Sequence, residues 1–151
     1  MVYLKNYLVI LLLLMTLPLL ATARNDDWRL VWSDEFNTEG RLSPSLWNYE
    51  QGYVRNKEAQ WYQPDNAVCK GGFLVIEARK ERNRQNPLYI PGSNDWRKER
   101  EFIEYTSSSV TTAGKKEFLY GRFEVRARIP VAKGAWPAIW TLGSNMEWPS
   151  C

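Results

Sequence analysis

Seventeen carboxylates are available for acid–base chemistry in this sequence, and no histidine is. A histidine-based triad or a histidine-rich metal site is therefore excluded. Splitting a glycosidic bond usually takes two carboxylic acids flanking the bond, about 5–5.5 Å apart in retaining enzymes. A strand can carry such a pair at alternate positions, which face the same side. An E-x-D-x-E run would do this, and the sequence contains none. Asp34 and Glu35 are adjacent, so they face opposite ways or sit in a turn. Glu101 and Glu104 fall in a charged loop with the wrong spacing. Glu124 lies between Arg122 and Arg126 on its own face, where ion pairing is the expected role. Glu147 is in a loop near the chain end. None has the spacing of a catalytic acid.

Indoles are better placed than acids. In residues 134–143, Trp136, Ala138, Trp140 and Leu142 share one face if the segment is a strand. Two indoles in line on a rigid strand suit the flat C–H patches of a sugar ring. The alternative is core packing, and the small Ala138 between them favours an open cleft. Eight Trp and eight Tyr exceed what a core this small normally uses.

The elements that must position these residues read as strands and turns, with almost no helical periodicity. Residues 28–32 alternate as a strand, and Ser33 to Asn37 form a polar turn. Ser43 and Pro44 open one helical turn, as N-cap and first position. Gly71-Gly72 is a tight turn before a buried strand at 73–78. Residues 79–105 are rich in Arg, Lys, Glu, Asn and Pro and read as a long surface loop. Such a loop can wall a cleft, but most of its residues are expected to be solvated. A Ser/Thr/Val strand at 106–112 follows. The cleanest alternation is at 120–129: Tyr120, Arg122, Glu124, Arg126 and Arg128 on one face, Phe123, Val125, Ala127 and Ile129 on the other. Strands without intervening helices predict an all-β sandwich.

The first 23 residues have the form of a secretory leader: Lys5, an apolar stretch, and Ala21-Thr22-Ala23. The uncharged run 7–23 is 17 residues long, short of the roughly 20 that span a membrane. Removing 23 of 151 residues leaves 128, one small domain. Without Lys5, 19 basic residues face 17 acidic ones, so nothing calls for nucleic acid or an anionic membrane. The expected product is secreted, extracellular or periplasmic, monomeric and free of the membrane after cleavage. Cys69 and Cys151 either pair, as an oxidising compartment permits, or remain two thiols.

Six blocks, in order, resemble glycoside hydrolase family 16. They are residues 30–37 (LVWSDEFN), 56–62 (NKEAQWY), 73–78 (FLVIEA), 105–107 (YTS), 120–127 (YGRFEVRA) and 134–140 (GAWPAIW). The resemblance is nearest the bacterial β-1,3-glucanase, or laminarinase-type, branch. It implies a concave β-jelly-roll of the concanavalin A-like type, with a polysaccharide cleft across one sheet. It also implies retaining hydrolysis by a Glu/Asp/Glu strand that directly follows a stretch like Trp148-Pro149-Ser150-Cys151. By that pattern residues 24–151 are the N-terminal portion of such a domain. The jelly roll stops mid-domain, the catalytic residues are expected just after Cys151, and the chain alone is expected to be inactive.

Position by position, the resemblance implies that Asn56 hydrogen-bonds sugar in outer subsites. Glu58 shares that block, with a structural ion pair as its other reading. Trp136 and Trp140 match cleft-facing aromatic positions, and Trp148 would stack nearest the chemistry. Ser109 departs from the arginine common there, which weakens charge-assisted recognition. No cofactor is required. Many relatives bind a structural calcium, and Glu35 and the Gly72 carbonyl match two of its ligands. A glucan-binding protein without hydrolysis, or an enzyme on a galactan such as agarose or carrageenan, fits the same blocks.

Overall fold

The computed structural model describes residues 28–145. The leader, Trp148 and Cys151 lie outside them. The chain divides into two compact units, Met1–Ser33 and Asp34–Cys151. In the first, residues 28–33 belong to no ladder. Among its described residues the second carries seven strands, one 3-10 turn, Pro64–Asn66, and no α-helix. No described helix is long and apolar enough to cross a membrane.

The strands form three sheets. β1 (Asn48–Tyr49) pairs antiparallel with β7 (Val110–Thr111). β2 (Gln60–Tyr62) runs parallel to β6 (Phe102–Ser107), which pairs antiparallel with β5 (Arg79–Gln85). β3 (Ala67–Lys70) and β4 (Phe73–Ile76) make a hairpin. Gly71 and Gly72 connect them at φ +58° and +75°. A two-residue hairpin loop with positive φ at both positions matches strand twist, and glycine takes it without strain.

Several expectations change here. The strand after Gly72 forms, but it is not buried: Phe73 is 62% exposed. Its partner carries the burial instead, through Ala67 and Cys69. Residues 79–105 are not one loop, because β5 and most of β6 lie inside them. β5 reads RKERNRQ, with no apolar alternation, so only its pairing to β6 reveals it. Asn83, at φ +55°, sits where the register slips between Lys80 and Arg84. Glu104 consequently stands on β6 rather than in a loop. Residues 28–32, 120–129 and 136–142 form no strand. Alternation marks a strand only where another backbone supplies its ladder, and among the described residues none does. Arg122 and Glu124 nevertheless pair at 2.5 Å, the role expected of Glu124.

Residues 43–47 do make one helical turn, with the amides of Leu46 and Trp47 both donating to the Ser43 carbonyl. The Ser43 hydroxyl bonds that of Ser45. Asp34 makes the predicted turn: Oδ1 accepts the Phe36 amide and Oδ2 the Trp47 indole N–H at 2.7 Å.

The core is small and partly polar. Leu42, Tyr53, Tyr62, Ala67, Cys69 and Ile103 are its apolar members; Arg55, Asn66, Asn86, Thr106 and Ser108 are buried beside them. Asn66 is 1% exposed and joins three segments. Its Nδ2 donates to the Glu77 carbonyl (2.9 Å) and to Thr106 Oγ1 (3.1 Å), and its Oδ1 accepts from Gln63 (2.6 Å). Cys69 is a free thiol; burial pushes its pKa up, and Asp34 and Glu39 add to the shift.

Candidate functional site

Residues 55–58 form a tight turn in which the Glu58 amide donates to the Arg55 carbonyl at 3.1 Å. Asn56 and Lys57, at its tip, both have φ +54°, and both are exposed. Asparagine tolerates this left-handed backbone well and lysine poorly. The Asn56 side chain is thereby presented to solvent. The Glu58 carboxylate turns inward: it accepts from Gln60 Nε2 (3.0 Å) and from the Tyr62 hydroxyl (2.9 Å). These partners are neutral, so a hydrogen-bond network rather than a close ion pair holds Glu58.

Arg55 is the hub beside this turn. Its guanidinium is 9% exposed and pairs with Glu50. The Ser109 hydroxyl donates to the same Glu50 oxygen, Oε2. Arg55 also lies over the Tyr62 ring at 5.5 Å and over the Trp140 ring at 5.7 Å, both within cation–π range. Burial works to lower the Arg55 pKa, but Glu50 and, at longer range, Tyr62 and Glu58 outweigh it, and the net shift is upward. The structure thus gathers Glu58 and Trp140 around the residue that precedes Asn56. Sequence reasoning missed Arg55; its direct adjacency to Asn56 was the available signal. Charge is present beside Ser109 after all, carried by Arg55 through the shared carboxylate.

Trp136 does not join this group as an in-line neighbour of Trp140. With no strand at 136–142, the two indoles lose the common face that alternation gave them. Trp136 is 91% exposed and Trp140 53%. Trp148 lies outside the described residues.

Tyr62 gives a pH test of the network. Burial pushes its hydroxyl above the ordinary 10.0; Gln60 works against the shift, and Glu58 adds to it. The fold therefore favours the neutral phenol, which donates to Glu58. That contribution is complete below the unfolded pKa near 10 and is lost as pH rises through the higher folded value. Tyr62→Phe is expected to flatten the alkaline fall in stability, read from urea unfolding at about pH 8 and about pH 11. An unchanged fall would remove Tyr62 as its cause.

Glu35 and Gly72, matched above to a calcium site, lie near one another. A Cβ on Gly72 would lie 3.5 Å from Asn37 Oδ1 and 3.9 Å from the Glu35 backbone oxygen. These oxygens are of the kind hard cations take, though Glu35 faces Gly72 with its main chain. Among the described residues no group of three or more His, Cys, Asp or Glu side chains converges, so any cation here would be held largely by carbonyl oxygens.

Half of residues 86–101 after β5 are exposed, as expected, but the segment is anchored through Asn86. Asn86 is buried and donates to the carbonyls of Arg97 (3.1 Å) and Arg100 (2.8 Å). Arg100, Glu101, Phe102, Glu104 and Ala59 line an open cavity of about 420 Å³.

The family described as "Beta-glucan synthesis-associated protein SKN1/KRE6/Sbg1" matches residues 17–149. A β-glucanase of Rhodothermus marinus is 40% identical over 140 residues, covering 87% of this chain and 43% of the relative. The chain therefore spans less than half of that relative's length. Among solved structures, the laminarinase from Rhodothermus marinus is 41% identical with TM-score 0.50, over 68% of this chain and 36% of that one. A structure reported with endo-acting O-glycanases of the human gut microbiota is 39% identical with TM-score 0.55, over 64% of this chain and 35% of the other. The fold class is the all-β jelly roll of the family 16 laminarinases. On sequence blocks, fold and family match together, the chain belongs to the SKN1/KRE6/Sbg1 β-glucan family and is glucanase-like within glycoside hydrolase family 16.

Proposed function

We propose that this chain is the glucan-holding part of an exported endo-β-1,3-glucanase. The observation that carries the reading is the gathering of Glu58 and Trp140 around Arg55, next to the exposed Asn56. It combines amide and carboxylate hydrogen-bonding groups with a half-exposed indole, the pairing a sugar needs. Identity of 40% to a β-glucanase supports glucan as the polymer. Hydrolysis by the whole protein would proceed with retention through a close carboxylate pair on a Glu/Asp/Glu strand of the kind the resemblance implies. A leader at 1–23, secretion, a monomeric state and a structural calcium at Glu35 and Gly72 belong to the same reading.

A second reading is glucan recognition or synthesis without hydrolysis. The description of the matching family in terms of glucan synthesis favours it. Affinity electrophoresis of residues 24–151 through gels containing laminarin, agarose or carrageenan tests the polymer. Retardation by laminarin alone is expected, with no reducing sugar released. Retardation only by a galactan would move the substrate class, and turnover of laminarin would show that a catalytic pair had been overlooked.

A further inference from the structure

The turn that presents Asn56 is strained, and a separate segment holds it. Lys57 at φ +54° occupies a backbone region unfavourable to a long side chain. Such strain persists only where the surroundings over-determine it, and it gathers at ligand clamps. Here two guanidiniums from residues 86–101 supply the constraint. Arg97 donates through Nε to the Tyr53 carbonyl (3.0 Å) and through Nη2 to the Val54 carbonyl (2.9 Å). Arg100 donates through Nη1 to the Glu58 carbonyl (3.2 Å) and through Nη2 to the Lys57 carbonyl (3.3 Å). Together they take four carbonyls, two on each side of Asn56.

The clamp is itself fixed. Asn86 bonds the carbonyls of both arginines from a buried position. Tyr53, also buried, meets the Trp96 ring at 6.0 Å and lies under the Arg100 guanidinium at 5.3 Å. Arg97 stacks on Trp96 at 4.6 Å. A planar fork that reaches two carbonyls at once is a property of arginine that lysine lacks.

We propose that residues 86–101 form a clamp that sets the pose of Asn56 for a β-glucan chain, with Arg97 and Arg100 as positioning residues that touch the turn and not the sugar. The glucan part rests on the function proposed above. It follows that Lys57 and Arg100 are coupled: relieving the strain at 57 removes much of the need for the clamp.

The test measures laminarin affinity of the full chain by calorimetry, with amide hydrogen exchange over residues 54–58. Arg100→Ala is expected to raise Kd about tenfold and to speed exchange of those amides about tenfold. Arg100→Ala combined with Lys57→Gly is expected to return Kd to within about threefold of the parent, because glycine adopts the turn unaided. A general loss of stability would not be rescued this way. Equal laminarin affinity of the parent and Arg100→Ala, or no rescue by Lys57→Gly, overturns the proposal. If the parent itself binds no laminarin, the glucan reading has failed on its own, and exchange still decides the clamp: faster exchange in Arg100→Ala supports it, unchanged exchange overturns it.

Discussion

Asn66→Ala is expected to lower the unfolding free energy by about 3 kcal/mol. The loss comes from what is left behind more than from the bonds removed. Asn66 is almost fully enclosed, and its amide serves the Glu77 carbonyl, Thr106 Oγ1 and Gln63 Nε2 at once. Thr106 is fully buried and donates onward to Glu81 at 2.6 Å, so the disturbance reaches β5. Removing one member of a buried network strands its partners, at about 1–3 kcal/mol for each group left unsatisfied. Urea unfolding should show a lower midpoint with an unchanged slope. A loss below about 1 kcal/mol would mean that water replaces the amide and that Asn66 is no hub.

Glu50→Ala is expected to cost about 3 kcal/mol as well, by a different route. It takes from the buried Arg55 guanidinium the Glu50 carboxylate that pairs with it, and from the Ser109 hydroxyl its acceptor. The double variant Glu50→Ala/Arg55→Leu should recover part of the loss, because no buried charge then remains. It should not recover the cation–π contact with Trp140. Unfolding measurements on the three variants give the stability cycle. Additive losses in the double variant would show that Glu50 and Arg55 do not act as a pair.

The two variants mark what was legible in the sequence. Gly71-Gly72 could be read directly, since paired positive φ is a local demand that glycine meets. Ser43-Pro44 was equally local. Ladder partners are not local. β5 has seven polar residues, and its existence depends on β6, whose Ile103 carries the burial. Conversely, residues 120–129 alternate cleanly and form no strand, because alternation describes a face and does not supply a neighbour. The site divided the same way. Asn56, Glu58 and Trp140 were visible as residue types in recognisable blocks. Arg55 was not, because its importance comes from Glu50, Tyr62 and Trp140 converging on it from three places in the chain, with Ser109 joined through Glu50. The in-line arrangement of Trp136 and Trp140 failed because it presupposed a strand.

Titration of laminarin into the full chain, beside Asn56→Ala and Trp140→Ala, tests the central claim most directly. Saturable binding is expected for the parent. Trp140→Ala should weaken it by about 1–2 kcal/mol, roughly 5- to 30-fold, and Asn56→Ala by about 1 kcal/mol. Absence of binding by the parent, or binding that neither substitution weakens, would contradict the assignment of this site to β-glucan.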